Sequence, residues 1–265
     1  MGTSASSNGP GSGVSLDPEW LDDIEIPNDE QKSDGNVSSG VIIAPRARFS
    51  NARRNLGEYV RSGDRNSLRK SLGNYSRNGM GGSQNFARRM RVSTSIAGGM
   101  FQTFRSLRDD TNFELRSVIS KLKEQGANAS KIISEFISHV CPDGGSLDEI
   151  SSRNSGTAAL SEFLERNPDA DIVNLSDDQI WSLTSSFLAN EIFSRIQMDI
   201  GQAFETRDIP FPDRISRMNE MKDFIQVEIA TQLNEIRSRD IYNADISKLF
   251  QKTIQNTFEL YEVEI

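Results

Sequence analysis

The sequence predicts an all-α protein: an irregular multi-helix bundle preceded by a disordered Gly/Ser-rich N-terminal tail. Three observations carry that expectation. Apolar residues recur at intervals of three and four from Phe49 to Tyr261, the spacing of one helix face. No run alternates apolar and polar residues as a half-buried strand would, and no repeat is present. Residues 1–40 hold 8 Ser and 6 Gly without either period, so they bury too little apolar surface to offset chain entropy. A hydrophobic content of 35% is low for a globular chain and agrees with a part that does not fold.

Inside the tail, residues 1–45, one apolar knot stands out: Leu16, Asp17, Pro18, Glu19, Trp20 and Leu21, then Ile24 and Ile26. Two readings stand for it, a docking peptide for a partner or a segment packed on the protein's own helices. Helical signals start after Pro45. Phe49, Ala52, Leu56 and Val60 share a face that Gly63 ends. Asp64 is placed to cap a second helix carrying Leu68, Leu72 and Tyr75. Residues 78–82 read as a turn, after which Ser83 is expected to cap one long helix from Phe86 to Leu107, weakened or closely approached at Gly98 and Gly99.

Thr111 and Glu114 have capping-box spacing before Leu115, Val118, Ile119 and Leu122, with Gly126 as the stop. Ile132, Ile133, Phe136, Ile137 and Val140 define the next helix, which the stretch from Cys141 to Gly145 breaks. A modest helix follows over 147–165. Ser176 with Gln179 opens a long one reaching Phe204, Pro210 and Pro212 break it, and Ile215 to Ile236 mark another. Ile246, Phe250, Ile254, Phe258 and Tyr261 mark the last.

Charge is segregated along the chain. Residues 1–45 carry 8 acids and one base, a net of −7. Residues 46–108 carry 14 bases and 2 acids, a net of +12, and 13 of those bases are Arg. Residues 109–265 come to −13 within an overall −8. The sequence therefore divides into an acidic tail (1–45), an Arg-rich helical region (46–108) and an acidic helical domain (109–265). Arginine suits bidentate pairing with phosphate or carboxylate. Nucleic acid is one partner for the Arg-rich helices, and an acidic protein surface, which this chain itself supplies, is the favoured other. Arg53, Arg54, Arg88 and Arg89 are the partner-binding candidates.

The chemistry of catalysis is thin. One Cys and one His exclude a disulfide within the chain, multi-Cys zinc sites and His-pair metal sites, so no metal or cofactor is expected. His139 and Cys141 lie two apart, where helical side chains do not face each other, and read as a helix C-terminus. Gly79 to Ser83 lacks the Lys-Ser/Thr of a P-loop and follows a helix rather than a strand. No catalytic residue is assigned, and the chain is expected not to be an enzyme. No segment approaches the ~20 apolar residues of a membrane span, and the start lacks a basic, then apolar, signal, so a cytoplasmic protein is expected.

The first residues carry one chemical feature. Gly2 and Ser6 fit the short myristoylation pattern. More generally, removal of Met1 before Gly leaves an unhindered α-amine of reference pKa roughly 7.7–8.0, the most accessible amine nucleophile in the chain.

The start MGTSASSNGPGSG, LDPEW at 16–20, RFSNARRNL at 48–56, GMGGSQNFARRM at 79–90 and VCPDGGSLDE at 140–149 together resemble the QatB family of the bacterial Qat antiphage defence system. The resemblance implies partners: the QatA ATPase, a QueC-like QatC protein and a TatD-like QatD nuclease. QueC-type enzymes use ATP to activate a carboxylate on a 7-deazaguanine and join it to a nitrogen nucleophile. By that resemblance the Gly2 amine replaces ammonia, Gly2, Thr3 and Ser4 enter the partner, and Leu16, Pro18, Trp20 and Leu21 anchor the tail. The chain is then a substrate and scaffold rather than a catalyst. A nucleic-acid-binding subunit using the Arg-rich helices is the alternative.

Overall fold

The computed structural model describes residues 47–141, 145–206, 208–237, 245–263 and 265. The tail, with Gly2, Thr3, Ser4, Leu16, Pro18, Trp20 and Leu21, lies outside the described residues. Within them the chain is all-α, as the periodicity requires, with ten α-helices and no strand. They are α1 (Ser50–Ser62), α2 (Arg65–Asn74), α3 (Ser83–Arg89), α4 (Arg91–Arg108), α5 (Phe113–Glu124), α6 (Ala129–Val140), α7 (Leu147–Arg166), α8 (Asp177–Ile200), α9 (Phe211–Arg237) and α10 (Ile246–Val263).

Local chemistry sets many of the ends. Gly63 stops α1 in the left-handed conformation, φ 72°, and its N–H donates to the Tyr59 carbonyl. The Asp64 carboxylate accepts from the N–H groups of Asn66 and Ser67 at the start of α2. Ser176 and Gln179 form the reciprocal capping box of α8, and Ser146 and Glu149 form another at α7.

Packing moved other boundaries. The helix expected from Ser83 to Leu107 bends at Met90 (φ −83°, ψ 13°) into α3 and α4. The bend lets Phe86 meet Phe258 of α10 edge-on at 4.5 Å while Phe101 meets Trp181 of α8 at 4.5 Å. Ser83 is not a cap: Gly82 precedes α3, with no side-chain hydrogen bond there, and Ser83 is buried. Most of the expected turn at 78–82 is a π-helical turn, Tyr75–Met80, closed by left-handed Gly81. Gly79 sits in it because the Phe49 ring occupies the space a Cβ would need.

The cap of α5 is Asn112, which accepts from the Leu115 N–H, while the Thr111 hydroxyl donates to the Ser106 carbonyl (3.2 Å). Regular α-helix in α8 ends at Ile200, and Gly201–Glu205 is a 3-10 turn. Pro212 does not break a helix but lies in the first turn of α9, where an amide hydrogen has no intrahelical partner.

The long α8 is the centre of the bundle. From Leu183 to Ile192 every side chain is buried, so it lacks the single apolar stripe of a surface helix. Helices α4, α7 and α9 pack around it, and α10 closes the bundle against α2, α3, α4 and α9. One hydrophobic core takes residues from Phe49 to Tyr261. It therefore runs across residue 108, where the charge of the sequence changes sign. Among the described residues no helix is long and apolar enough to cross a membrane.

Candidate functional site

The polar feature with the most converging groups lies where the start of α1 meets the end of α8. Tyr75 is fully buried and its hydroxyl donates to Asp199 Oδ2 at 2.7 Å. Burial, the Asp199 carboxylate and that hydrogen bond together push the phenol well above its ordinary pKa. Phe49 stacks on the Tyr75 ring at 5.5 Å, and the Arg48 guanidinium lies over Phe49 at 4.8 Å. Arg53 Nη2 donates to the Asp199 carbonyl at 3.1 Å, a cation on the last turn of α8, where the helix dipole favours one.

Arg195 approaches from α8 itself and donates to Asp148 Oδ1 at 3.1 Å. Its burial opposes the charge, but Tyr75, Asp148 and Asp199 outweigh that and raise its pKa. Arg48 goes the other way: burial lowers its pKa against the pull of Asp199 and Tyr75. Its Nε and Nη1 are buried without a hydrogen-bond partner among the described residues. Arg89 also acts on Tyr75 electrostatically. Among the described residues this cluster thus gathers four guanidinium groups, of Arg48, Arg53, Arg89 and Arg195, and two carboxylates, of Asp148 and Asp199.

A groove of about 470 Å³ runs along the adjoining face of α1, lined by Arg53, Arg54 and Arg61 on one side and Gln202, Glu205 and Thr206 on the other. The four arginines singled out by sequence are thereby separated. Arg53 bridges the cluster and the groove, and Arg89 belongs to the cluster. Arg54 is exposed in the groove, and Arg88 is half-buried on α3. Other Arg side chains of the basic region cross to acidic helices: Arg69 to Glu228 at 3.6 Å and Arg108 to Asp177 at 2.6 Å.

A second polar cluster is wholly interior. Glu191, 3% exposed, accepts from the hydroxyls of Ser93, Ser151 (3.1 Å) and Ser152 (2.8 Å), tying α4 and α7 to α8. Cys141 lies near it. Burial pushes its thiol up to about 11, with Arg153 opposing and Glu191 and Glu149 adding, so at neutral pH it holds almost no thiolate. Its carbonyl accepts from Arg153 Nη1 at 2.6 Å. His139 is exposed, so imidazole and thiol do not form a dyad. No group of three His, Cys, Asp or Glu side chains that could hold a metal exists among the described residues.

Sequence reasoning missed Tyr75 as a polar group, Asp199, Arg195 and the Glu191 cluster. A signal existed for Glu191, an acid set between Leu188 and Ile192 in an apolar run. None existed for Tyr75 and Asp199, which are 124 residues apart.

Fold and site together define an all-helical protein whose buried polar groups fasten helices to one another and whose α1 face carries an arginine-lined groove. A family model described as Qat anti-phage system associated protein QatB matches residues 81–261. The chain belongs to the QatB family, a component of an anti-phage system. None of the curated proteins and none of the solved structures matches it.

Proposed function

We propose that this chain is a non-enzymatic, cytoplasmic subunit of the Qat defence complex whose amino terminus is engaged and modified by a QueC-like QatC partner. The observation that carries the reading is membership of the QatB family over residues 81–261. After removal of Met1, Gly2 presents an amine with no side chain to hinder an activated acyl group, and its reference pKa of roughly 7.7–8.0 leaves a nucleophilic fraction near neutral pH. The partner's ATP-activated deazaguanine carboxylate accepts the Gly2 nitrogen. A C–N amide bond forms, the activating group leaves, and the amine gives up its proton. Gly2, Thr3 and Ser4 occupy the partner's site, and Leu16, Pro18, Trp20 and Leu21 hold the tail there and raise its effective concentration. Arg88, half-buried on α3, and the cluster around Arg53 and Arg89 offer cations to the assembly, which includes the QatA ATPase and the QatD nuclease. The burial and raised thiol pKa of Cys141 support the non-enzymatic part of the reading.

Intact-mass and peptide mass spectrometry of the protein expressed with and without its QueC-like partner tests this. The expected result is a mass increase on Gly2 that needs the partner. An unmodified Gly2 amine in an active complex, or full defence after deletion of residues 2–8, overturns it. A second reading, a nucleic-acid-binding subunit using residues 46–108, draws on the exposed Arg54, Arg61, Arg77 and Arg91. It requires an affinity that falls steeply with salt.

A further inference from the structure

The α1 groove is a cationic surface beside a cluster that already holds more guanidinium groups than carboxylates. Arg54 makes no hydrogen bond or ion pair among the described residues. Among the described residues Arg61 makes only an exposed contact with Glu58 at 3.8 Å, a geometry of little net strength. Among the described residues Glu205 is the single carboxylate lining the groove. Such a surface fits a polyanion with apolar insertions, because the arginine stems and the small residues Gly57 and Ala203 give it an apolar floor.

One such polyanion is tethered to the helix that forms the groove. All 8 acids of residues 1–45 fall between Asp17 and Asp34, with Lys32 the lone base, and Trp20, Leu21, Ile24 and Ile26 lie among them. The tether from Asp34 to Ala47 is about 13 residues and spans up to about 45 Å, whereas Arg61 lies only ~17 Å along α1 from Ser50. A covalent tether of that length makes association intramolecular, at an effective concentration near the millimolar range. The acids of this stretch are complementary in charge to Arg54 and Arg61, and Ile24 and Ile26 supply the apolar insertions.

We infer that residues 22–34 of this chain dock along the α1 groove lined by Arg53, Arg54 and Arg61. The docked segment neutralises the groove and sets the point from which residues 2–21, Trp20 and Leu21 included, extend toward any enzyme that engages the amino terminus. Docking does not depend on modification of Gly2, and its readout is separate.

The test uses the full chain with spin labels on Asn28→Cys and Glu58→Cys. The buried thiol of Cys141 leaves labelling to the two introduced sites. Double electron–electron resonance at low salt should show a short, narrow distance distribution. In Arg54→Glu/Arg61→Glu that population should be lost, and it should return when Asp22, Asp23, Asp29 and Glu30 are changed to Lys in the same chain. Both arginines are exposed, so a thermal melt by circular dichroism should stay in place. In the unreversed chain, about 1 M salt, where the Debye length is about 3 Å, should broaden the same peak. A broad distribution in the parent, or one insensitive to both salt and charge reversal, overturns docking. Loss of the short distance on dilution with unlabelled protein overturns it in favour of a second copy's tail. Tight nucleic-acid binding that needs Arg54 and Arg61 while the label distances stay unchanged by their reversal overturns it in favour of an exogenous polyanion.

Discussion

Glu191 is the one buried carboxylate among the described residues, and its three partners are hydroxyls, not cations. A hydroxyl can rotate its hydrogen onto a charged acceptor, so Ser93, Ser151 and Ser152 together replace part of the lost hydration. Removing the acceptor leaves those donors unsatisfied in the seam of α4, α7 and α8 and opens a small cavity. Glu191→Ala should therefore lower the free energy of unfolding by roughly 3 kcal/mol, and Glu191→Gln, which keeps shape and one acceptor oxygen, by about 1 kcal/mol. Urea denaturation of the three proteins checks both values. Equal stability of Glu191→Ala and the parent would show that the cost of burying the charge cancels its hydrogen bonds.

Between helices, glycine marks where backbones meet. Gly73 of α2 is buried against the main chain of α10: a Cβ there would run into the Tyr261 carbonyl group, and Ile265 Cγ2 would sit at 3.3 Å. A carbonyl in a packed helix cannot rotate aside, so Gly73→Ala should cost roughly 1–3 kcal/mol despite the better helix propensity of Ala. Gly57 of α1 has, among the described residues, only Arg61 Nη1 within reach, at 3.9 Å, and Gly57→Ala should instead stabilise by up to about 1 kcal/mol. Thermal or urea unfolding of the pair reads out the opposite signs. The sequence shows both glycines inside helical patterns but not which one faces a neighbour. The same limit explains what else was legible. Asp64, Gly63 and the Ser176 and Gln179 pair act on amides within four residues, so their roles follow from local spacing. The bend at Met90 and the π-helical turn at Tyr75–Met80 answer to Phe258 and Phe49, partners that periodicity does not locate. The cationic cluster was legible only as an Arg-rich stretch, because Asp199, which organises it, comes from the far end of α8.

Over the whole molecule, a +12 stretch and a −13 stretch share one core, and the pairs between them decide how it answers pH and salt. The Arg108 hydrogen bond, against some burial, holds Asp177 below the ordinary carboxylate range. Burial works against Asp171 too, but Lys123 and the Val173 N–H win and lower it, and Arg217 lowers Glu220. Each folded pKa lies below its unfolded value, so the unfolded chain binds protons first as pH falls. The stabilisation is complete above the unfolded values of roughly 3.9–4.3 and is lost as pH drops through the folded ones. These groups are largely exposed, so each contributes modestly. Protonation has a second consequence, because it leaves the Arg-rich helices with their charge and removes the acids that face them. The urea midpoint should be flat from neutrality down to about pH 5 and fall below about pH 4. Sodium chloride should then act with opposite signs. Near pH 7 it screens attraction between Arg69 and Glu228 and between Arg108 and Asp177, and the midpoint should drop slightly. At about pH 3.5 it screens repulsion among arginines, and the midpoint should rise. A salt effect of one sign at both pH values would mean that charge segregation along the chain is not what sets the acid limit of the fold.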